Sequence, residues 1–200
     1  MKIYLVRHGE TLFNLKGLIQ GWCDSPLTQK GIQQSLVVGK TLQEIPFTHA
    51  YCSTSPRTLD TLKNILQDRD IPYTQLEGLK EMNFGSLEGD KESVVFAKDS
   101  GISHQIGFHA YGGDDINDVS KRMYETLEDI AKHNSGSVLV ISHGGAIFNF
   151  LLEIDKDKIL NYINEKGSLP NCSITVLEYD GKFHVETIAK EVIRDEDIRN

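Results

Sequence analysis

The segment Ser-Val-Leu-Val-Ile-Ser at 137–142 is the strongest strand signal in this chain, and it most constrains the fold. It leads through His143 and two glycines into an apolar stretch typical of a buried helix. A second apolar run, Ile3–Val6, suits a strand that is buried on both faces. Strands that alternate with helices in this way predict an α/β fold of three layers, α/β/α, with a mostly parallel central sheet.

Other segments extend the same alternation. Helical patterns cover 28–44 before Pro46, 57–67 behind Pro56, 116–130 behind a cap at Asp114-Asp115, and 155–164. Further strands are expected at 50–52 and 72–76, and a hairpin is expected from 173–179 and 182–188 around Asp180-Gly181. Residues 77–113 contain seven glycines, and they predict a long loop region with one short helix.

Length, net charge, apolar runs and cysteine content limit the class of protein. A length of 200 residues fits one domain, which we expect to span 1–200. The net charge of −8 argues against nucleic acid and against an anionic membrane surface as partners. No apolar run is long enough for a signal peptide or a membrane span, so we expect a cytoplasmic protein. Three scattered cysteines form neither a disulfide framework nor a zinc motif, and a homodimer is left open.

Arginine and histidine follow the predicted strands at the points where they end. Arg7 and His8 come at the end of the first strand, Arg57 lies beyond the second, and His143 directly follows the strand at 137–142. Ligands bind beyond the carboxyl ends of parallel strands, so these four side chains should converge on one crevice. Arginine binds phosphate oxygens bidentately, and Gly144 lets the backbone approach a ligand closely. The sequence therefore predicts a site for a dianionic phosphoryl group.

Five blocks of residues carry a resemblance to a known family. They are Arg7-His8-Gly9-Glu10-Thr11 with Asn14; Gln20-Gly21-Trp22 with Pro26-Leu27-Thr28 and Gly31; Ser53 with Arg57 and Thr61; Leu79 to Gly85 with Leu87-Glu88-Gly89; and Gly112-Gly113 with Ser142-His143-Gly144. In this order the blocks resemble the histidine phosphatase superfamily, which includes the cofactor-dependent phosphoglycerate mutases. The short chain and the 81–85 segment are closer to its small phosphatases, such as the α-ribazole and broad-specificity phosphatases. The resemblance implies a phosphoglycerate mutase-like fold.

The resemblance also implies a role for each matched residue. His8 would attack phosphorus, while Arg7, Arg57 and His143 would bind the equatorial oxygens. Glu81 would protonate the leaving oxygen and then activate water. A list of expected substrate-binding residues follows: Asn14, Gln20, Gly21 and Gly144. No metal and no cofactor are expected, because the arginines supply the positive charge that loose phosphoryl transfer requires.

Three functions remain open on the sequence. The first is a metal-independent phosphomonoesterase acting on a small phosphate ester, the second a bisphosphoglycerate-dependent phosphoglycerate mutase, and the third a non-catalytic phosphate-binding domain. Residues 90–113 contain two lysines, Lys91 and Lys98, and neither arginine nor proline, so a site for a second negative group looks poor. This favours the phosphatase. The natural substrate and the roles of His104 and His109 are not predicted.

Overall fold

The computed structural model describes residues 1–97 and 107–193, whose centre is a six-stranded sheet. The strands are β1 (Lys2–Arg7), β2 (Phe47–Ser53), β3 (Tyr73–Leu76), β4 (Ser137–Ser142), β5 (Ile174–Tyr179) and β6 (Phe183–Lys190). Their order across the sheet is β3-β2-β4-β1-β5-β6. The first four strands in that order are parallel, whereas β5 runs antiparallel to both β1 and β6. The predicted mostly parallel α/β fold is confirmed.

The helices connect the strands. They are α1 (Leu12–Lys16), α2 (Gln29–Thr41), α3 (Pro56–Leu66), α4 (Glu92–Val95), α5 (Ile116–His133), α6 (Gly144–Ile154) and α7 (Lys156–Lys166). Short 3-10 turns occupy Glu77–Leu79, Gly85–Leu87 and His109–Tyr111. Within the described part of the chain, no helix is both long enough and apolar enough to span a bilayer.

Alternate side chains of β4 belong to two separate hydrophobic clusters. Val138 and Val140 pack in a cluster that includes apolar residues of α5 and α6. Leu139 and Ile141 pack in a second cluster with residues of α2 and α3. Because successive residues of a strand point to opposite faces, each face of the sheet is covered by its own helices. The three-layer arrangement follows from this alternation.

The register of the central strands brings the two histidine motifs together. Arg7 of β1 lies opposite Ser142 of β4, and the His8 amide donates a 3.0 Å hydrogen bond to the Ser142 carbonyl. On the other side of β4, Cys52 of β2 pairs with Ile141. The carboxyl ends of β1, β4 and β2 therefore meet at one edge, as expected for parallel strands.

Two local predictions differ from the structure. Sequence periodicity missed α1, because five residues are too few to show it. The sequence signal for α1 is instead a capping box. The Thr11 side chain accepts from the Asn14 amide, and the Asn14 side chain accepts from the Thr11 amide. The predicted Asp114-Asp115 cap is half right: Asp115 caps α5, whereas Asp114 binds the Asn83 amide at 2.9 Å.

Candidate active site

His8 lies directly after β1 and is 4% exposed. Its Nδ1 is 2.8 Å from the Gly9 carbonyl oxygen. A carbonyl accepts hydrogen bonds and cannot donate them, so Nδ1 carries the proton and Nε2 keeps its lone pair. Burial lowers the pKa of His8 well below its ordinary value, and the charges of Arg57 and Arg7 lower it further. His8 is therefore a neutral imidazole with a nucleophilic nitrogen.

His143 occupies the equivalent place after β4, and its ring centroid is 5.3 Å from that of His8. Arg57 donates from Nη2 to Nδ1 of His143 at 2.9 Å, so Nε2 carries the proton and donates to Ser53 Oγ at 2.7 Å. Burial lowers the pKa of His143 well below its ordinary value, with Arg57 as the second cause. Both histidines are thus neutral, each in a defined tautomer.

Arg57 lies in the first turn of α3 and is completely buried. Besides His143, its guanidinium donates to the Asp24 carboxylate and to the carbonyls of Cys23 and Gly21, at 2.8, 3.0 and 2.8 Å respectively. The loop at 21–24 therefore wraps around the charged end of Arg57. This set of acceptors offsets the cost of burying a guanidinium.

Arg7 and Arg57 share a feature that points to an absent anion. Each has a buried Nε atom that finds no hydrogen-bond partner within residues 1–97 and 107–193. Buried polar groups are nearly always paired, so an unpaired donor beside a crevice marks a place for an acceptor. Arg7 lines the crevice itself, while its Nη1 donates to the Leu169 carbonyl. A Cβ on Gly144 would lie 3.1 Å from the Arg7 Nε, so glycine leaves room for the guanidinium.

Glu81 faces the same crevice from the segment between the first two 3-10 turns, and it is 7% exposed. Its carboxylate accepts from the amides of Gly145 at 2.9 Å and Ala146 at 2.7 Å, at the N-terminus of α6, and from its neighbour Met82 at 2.9 Å. Arg122 of α5 donates to the Glu81 carbonyl at 2.8 Å. These contacts fix the carboxylate in the pocket that His8 also lines.

Asn14 and Gln20 also line the crevice. Asn14 Oδ1 accepts from the Thr11 amide and from Asn171 Nδ2, both at 3.2 Å, which leaves its NH2 group to donate elsewhere. Gln20 accepts from Thr11 Oγ1 at 2.6 Å and donates to Ser25 Oγ at 3.0 Å. Both side chains are thereby held in fixed orientations.

The pocket has a volume of about 350 Å³ and a lining of both polar and apolar residues. Arg7, His8 and Glu81 are among the polar ones, and Gly144 also lines the pocket. The apolar wall consists of Ile19, Phe84, Phe96, Phe148, Ile163 and Leu169. The pocket therefore joins a group that binds anions to a surface that binds apolar groups.

Some predicted residues lie away from the pocket surface. Arg57 and His143 sit behind His8 rather than in the lining, and Gly21 contributes its carbonyl to Arg57. A Cβ on Gly21 would lie 2.5 Å from the Met82 carbonyl oxygen, so only glycine fits there. His109 is exposed on a 3-10 turn outside the lining, and His104 falls outside the described residues.

Several supporting residues were not predicted. Ser53 binds His143, Asp24 pairs with Arg57, and Arg122 holds the backbone of the 78–81 segment through the carbonyls of residues 78, 80 and 81. Glu88 joins two loops, since its carboxylate accepts from the Trp22 amide at 2.7 Å and the Phe84 amide at 3.2 Å. Ser53 and Glu88 lie within the matched blocks, but nothing in the sequence distinguishes Arg122 from other surface arginines.

The three cysteines are free thiols. Burial, followed by Glu88, raises the pKa of the partly exposed Cys23 thiol to about 11, and burial raises that of Cys52 to about 12. A thiol is nucleophilic as its thiolate, so neither is suited to attack phosphorus at neutral pH. His8 is the better nucleophile.

Comparison with known proteins shows the family. The family model for the histidine phosphatase superfamily (branch 1) matches residues 3–189. A protein named probable phosphoglycerate mutase GpmB from Salmonella paratyphi A is 31% identical over 188 residues, 90% of this chain and 85% of that protein.

Two solved structures share the fold. Bacillus stearothermophilus YhfR superposes with a TM-score of 0.82 at 32% identity, covering 96% of this chain and 99% of that one. A phosphoserine phosphatase from Entamoeba histolytica superposes with a TM-score of 0.72 at 28% identity, covering 94% of this chain and 95% of that one.

Proposed function

The chain belongs to the histidine phosphatase superfamily (branch 1), and on that basis we propose that it is a phosphomonoesterase that hydrolyses a small phosphate ester through a phosphohistidine on His8. The observation that carries the proposal is the state of His8. The ring is buried and neutral, with Nδ1 bound to the Gly9 carbonyl and Nε2 left with its lone pair beside Arg7. A neutral imidazole in this setting is a competent nucleophile.

The reaction proceeds in two displacements at phosphorus. In the first, His8 Nε2 forms the N–P bond as the P–O bond to the leaving group breaks, and the Glu81 carboxyl transfers its proton to the leaving oxygen. In the second, Glu81 takes a proton from water, the water oxygen bonds to phosphorus, and the N–P bond breaks. Inorganic phosphate leaves, and both His8 and Glu81 return to their starting forms.

Positive charge and hydrogen-bond donors stabilise the transferring group. Arg7 binds phosphoryl oxygens from the pocket wall, and its unpaired Nε supplies a donor. Arg57 and His143 act from behind His8, and the Asn14 and Gln20 side chains border the same space. In a transition state with a loose phosphoryl group, such fixed charges and donors supply most of the rate enhancement.

A mutase is the second candidate, because the 31% identical relative is named a probable phosphoglycerate mutase. A mutase returns the phosphoryl group to another oxygen of the same substrate, and must hold the glycerate carboxylate meanwhile. Among the described lining residues, Arg7 is the one side chain with a fixed positive charge, and the phosphoryl group occupies it. This distribution of charge favours hydrolysis over isomerisation.

The test measures phosphate release from sugar, nucleotide and glycerate phosphates in the presence of EDTA, beside a mutase assay with 3-phosphoglycerate and 2,3-bisphosphoglycerate. We expect metal-independent release and no isomerisation. Rapid acid-free quenching should show a phosphoryl adduct on His8 by mass spectrometry.

His8→Gln keeps a polar side chain but removes the nucleophile, so turnover should fall at least a thousandfold (about 10³) with the fold retained. The matched control is His133→Ala, which removes an exposed histidine of α5. Near-normal turnover in purified His8→Gln would overturn the proposal, and isomerisation without phosphate release would identify a mutase.

A further inference from the structure

The pocket beyond His8 carries an unexplained negative charge. Glu92, the first residue of α4, lines the pocket together with the apolar wall that includes Phe84, Phe96 and Phe148. Glu92 is exposed, and within residues 1–97 and 107–193 its carboxylate makes neither a hydrogen bond nor an ion pair. Water can solvate it in the free protein, but a second negative group of a bound substrate would be repelled by it, because like charges repel.

The backbone holds Glu92 in place. Its amide donates to the Gly17 carbonyl at 3.0 Å, and the neighbouring Asp90 carbonyl accepts from the Ile19 amide at 2.9 Å. Ile19 is itself part of the pocket wall. The backbone that carries Glu92 is therefore fixed next to the pocket wall.

Glu92 also influences the phosphate-binding end of the pocket. Burial lowers the pKa of the Arg7 guanidinium, whereas the charges of Glu81 and Glu92 act in the opposite direction. The Glu92 carboxylate is thus within electrostatic range of Arg7, and any charged group that a substrate places between them experiences it as well.

Nearby lysines do not offset this charge within the described residues. Lys91 Nζ donates a 2.9 Å hydrogen bond to the Lys16 carbonyl, and Lys166 Nζ pairs with the Glu165 carboxylate at 3.1 Å. Lys80 Nζ lies 3.7 Å from the centroid of the Trp22 ring. None of the three lines the pocket. Among the described lining residues, the charged side chains are therefore Arg7, Glu81 and Glu92, and Glu92 is the carboxylate to which no step of the proposed reaction assigns a role.

We propose that Glu92 determines specificity by rejecting phosphate esters whose organic part carries a second negative group. The favoured substrates are monoesters with an apolar or ring-shaped organic part that is neutral or positively charged at the end remote from phosphate. This inference rests on the proposed function, since it concerns the same pocket.

The experiment compares three aryl phosphates of similar shape: phenyl phosphate, 4-carboxyphenyl phosphate and 4-(aminomethyl)phenyl phosphate. For each enzyme form, kcat/KM of each charged ester is divided by that of phenyl phosphate. Comparing the ratios between enzyme forms cancels the intrinsic difference in leaving group. Glu92→Gln removes the charge, Glu92→Lys reverses it, and Lys91→Gln is a neighbouring control outside the pocket lining.

For Glu92→Lys we expect the 4-carboxyphenyl ratio to rise about tenfold and the 4-(aminomethyl)phenyl ratio to fall by a similar factor, as for unit charges near a protein surface. Glu92→Gln should shift both ratios in the same directions by less. Ratios that match the wild type in both variants would overturn the charge filter while leaving the phosphatase intact. Absence of turnover with every ester in the wild type would instead count against the proposed function.

Discussion

The neutral state of His8 and His143 predicts that the unliganded protein loses stability in mild acid. Both pKa values are lowered well below the ordinary value by burial, whereas in the unfolded chain both rings titrate near pH 6.5. As pH falls through 6.5 the unfolded state binds two protons that the folded state does not, so the free energy of unfolding decreases. Each histidine contributes a loss of about 1.4 kcal/mol between pH 7.5 and 5.5, or about 2.7 kcal/mol together.

The assay is thermal or urea unfolding at pH 7.5 and 5.5 in phosphate-free buffer, because a bound anion would favour the protonated rings. For a chain of this size the expected fall in Tm is roughly 5–10 °C. Carboxyl groups titrate below this window and lysines above it, so histidines dominate. Burial also lowers the pKa of His49, which adds a smaller change of the same sign.

Substitutions of His8 and His143 show how much each imidazole contributes to the pH-dependent fall in the free energy of unfolding. His8→Gln should reduce the pH-dependent fall by about 1.4 kcal/mol, and the double variant with His143→Gln should remove most of it. His133→Ala, at an exposed position of α5, should leave the fall unchanged. A Tm that is equal at the two pH values, or a full-sized fall in the double variant, would refute the reasoning.

Three further changes test the contacts around the site. Glu81→Gln should slow hydrolysis of an alkyl phosphate by about a hundredfold or more, but hydrolysis of p-nitrophenyl phosphate much less, because an activated leaving group needs no acid. Glu77→Gln, at an exposed position, is the control. Equal losses of rate with both esters would reject Glu81 as the acid. Asp24→Asn removes the charged partner of buried Arg57, so urea unfolding should show a loss of about 2 kcal/mol, and an unchanged midpoint would show that the pair contributes nothing. Ser53→Ala leaves the Nε2 proton of His143 without its acceptor and should cost about 1–3 kcal/mol in the same assay, and an unchanged midpoint would contradict this.

The fold was predictable because its central strands are apolar on both faces. Val138 to Ile141 supply both cores of the protein, and that pattern fits a sheet covered on two sides. The glycine-rich stretch from 77 to 113 was less predictable. There the backbone is held by individual side chains, such as Asp114 on the Asn83 amide, and such contacts leave no periodic signal.

The site was predictable where chemistry and strand ends coincide, as at Arg7, His8 and His143. The supporting contacts were harder to predict, because they depend on distances between loops that are remote in sequence. Arg122 reaches the Glu81 carbonyl across 41 positions, and Asp24 reaches Arg57 across 33. An isolated arginine or aspartate in a sequence does not indicate such a partner.

Under the proposed function, the placement of charge explains how a chain with a net charge of −8 would present a site for a dianion. Arg57 and Arg7 are held at the carboxyl ends of the central strands, where low polarity strengthens their field over short distances. Arg57 is bound by two backbone carbonyls, by His143 and by the Asp24 carboxylate, whereas the Nε of Arg7 in the pocket lining has no partner among the described residues. Two nearby rings stay neutral, so one can donate a lone pair without first losing a proton. Surface charges lie farther away and are screened by salt. The local arrangement, rather than the total charge, therefore decides which anion the pocket accepts.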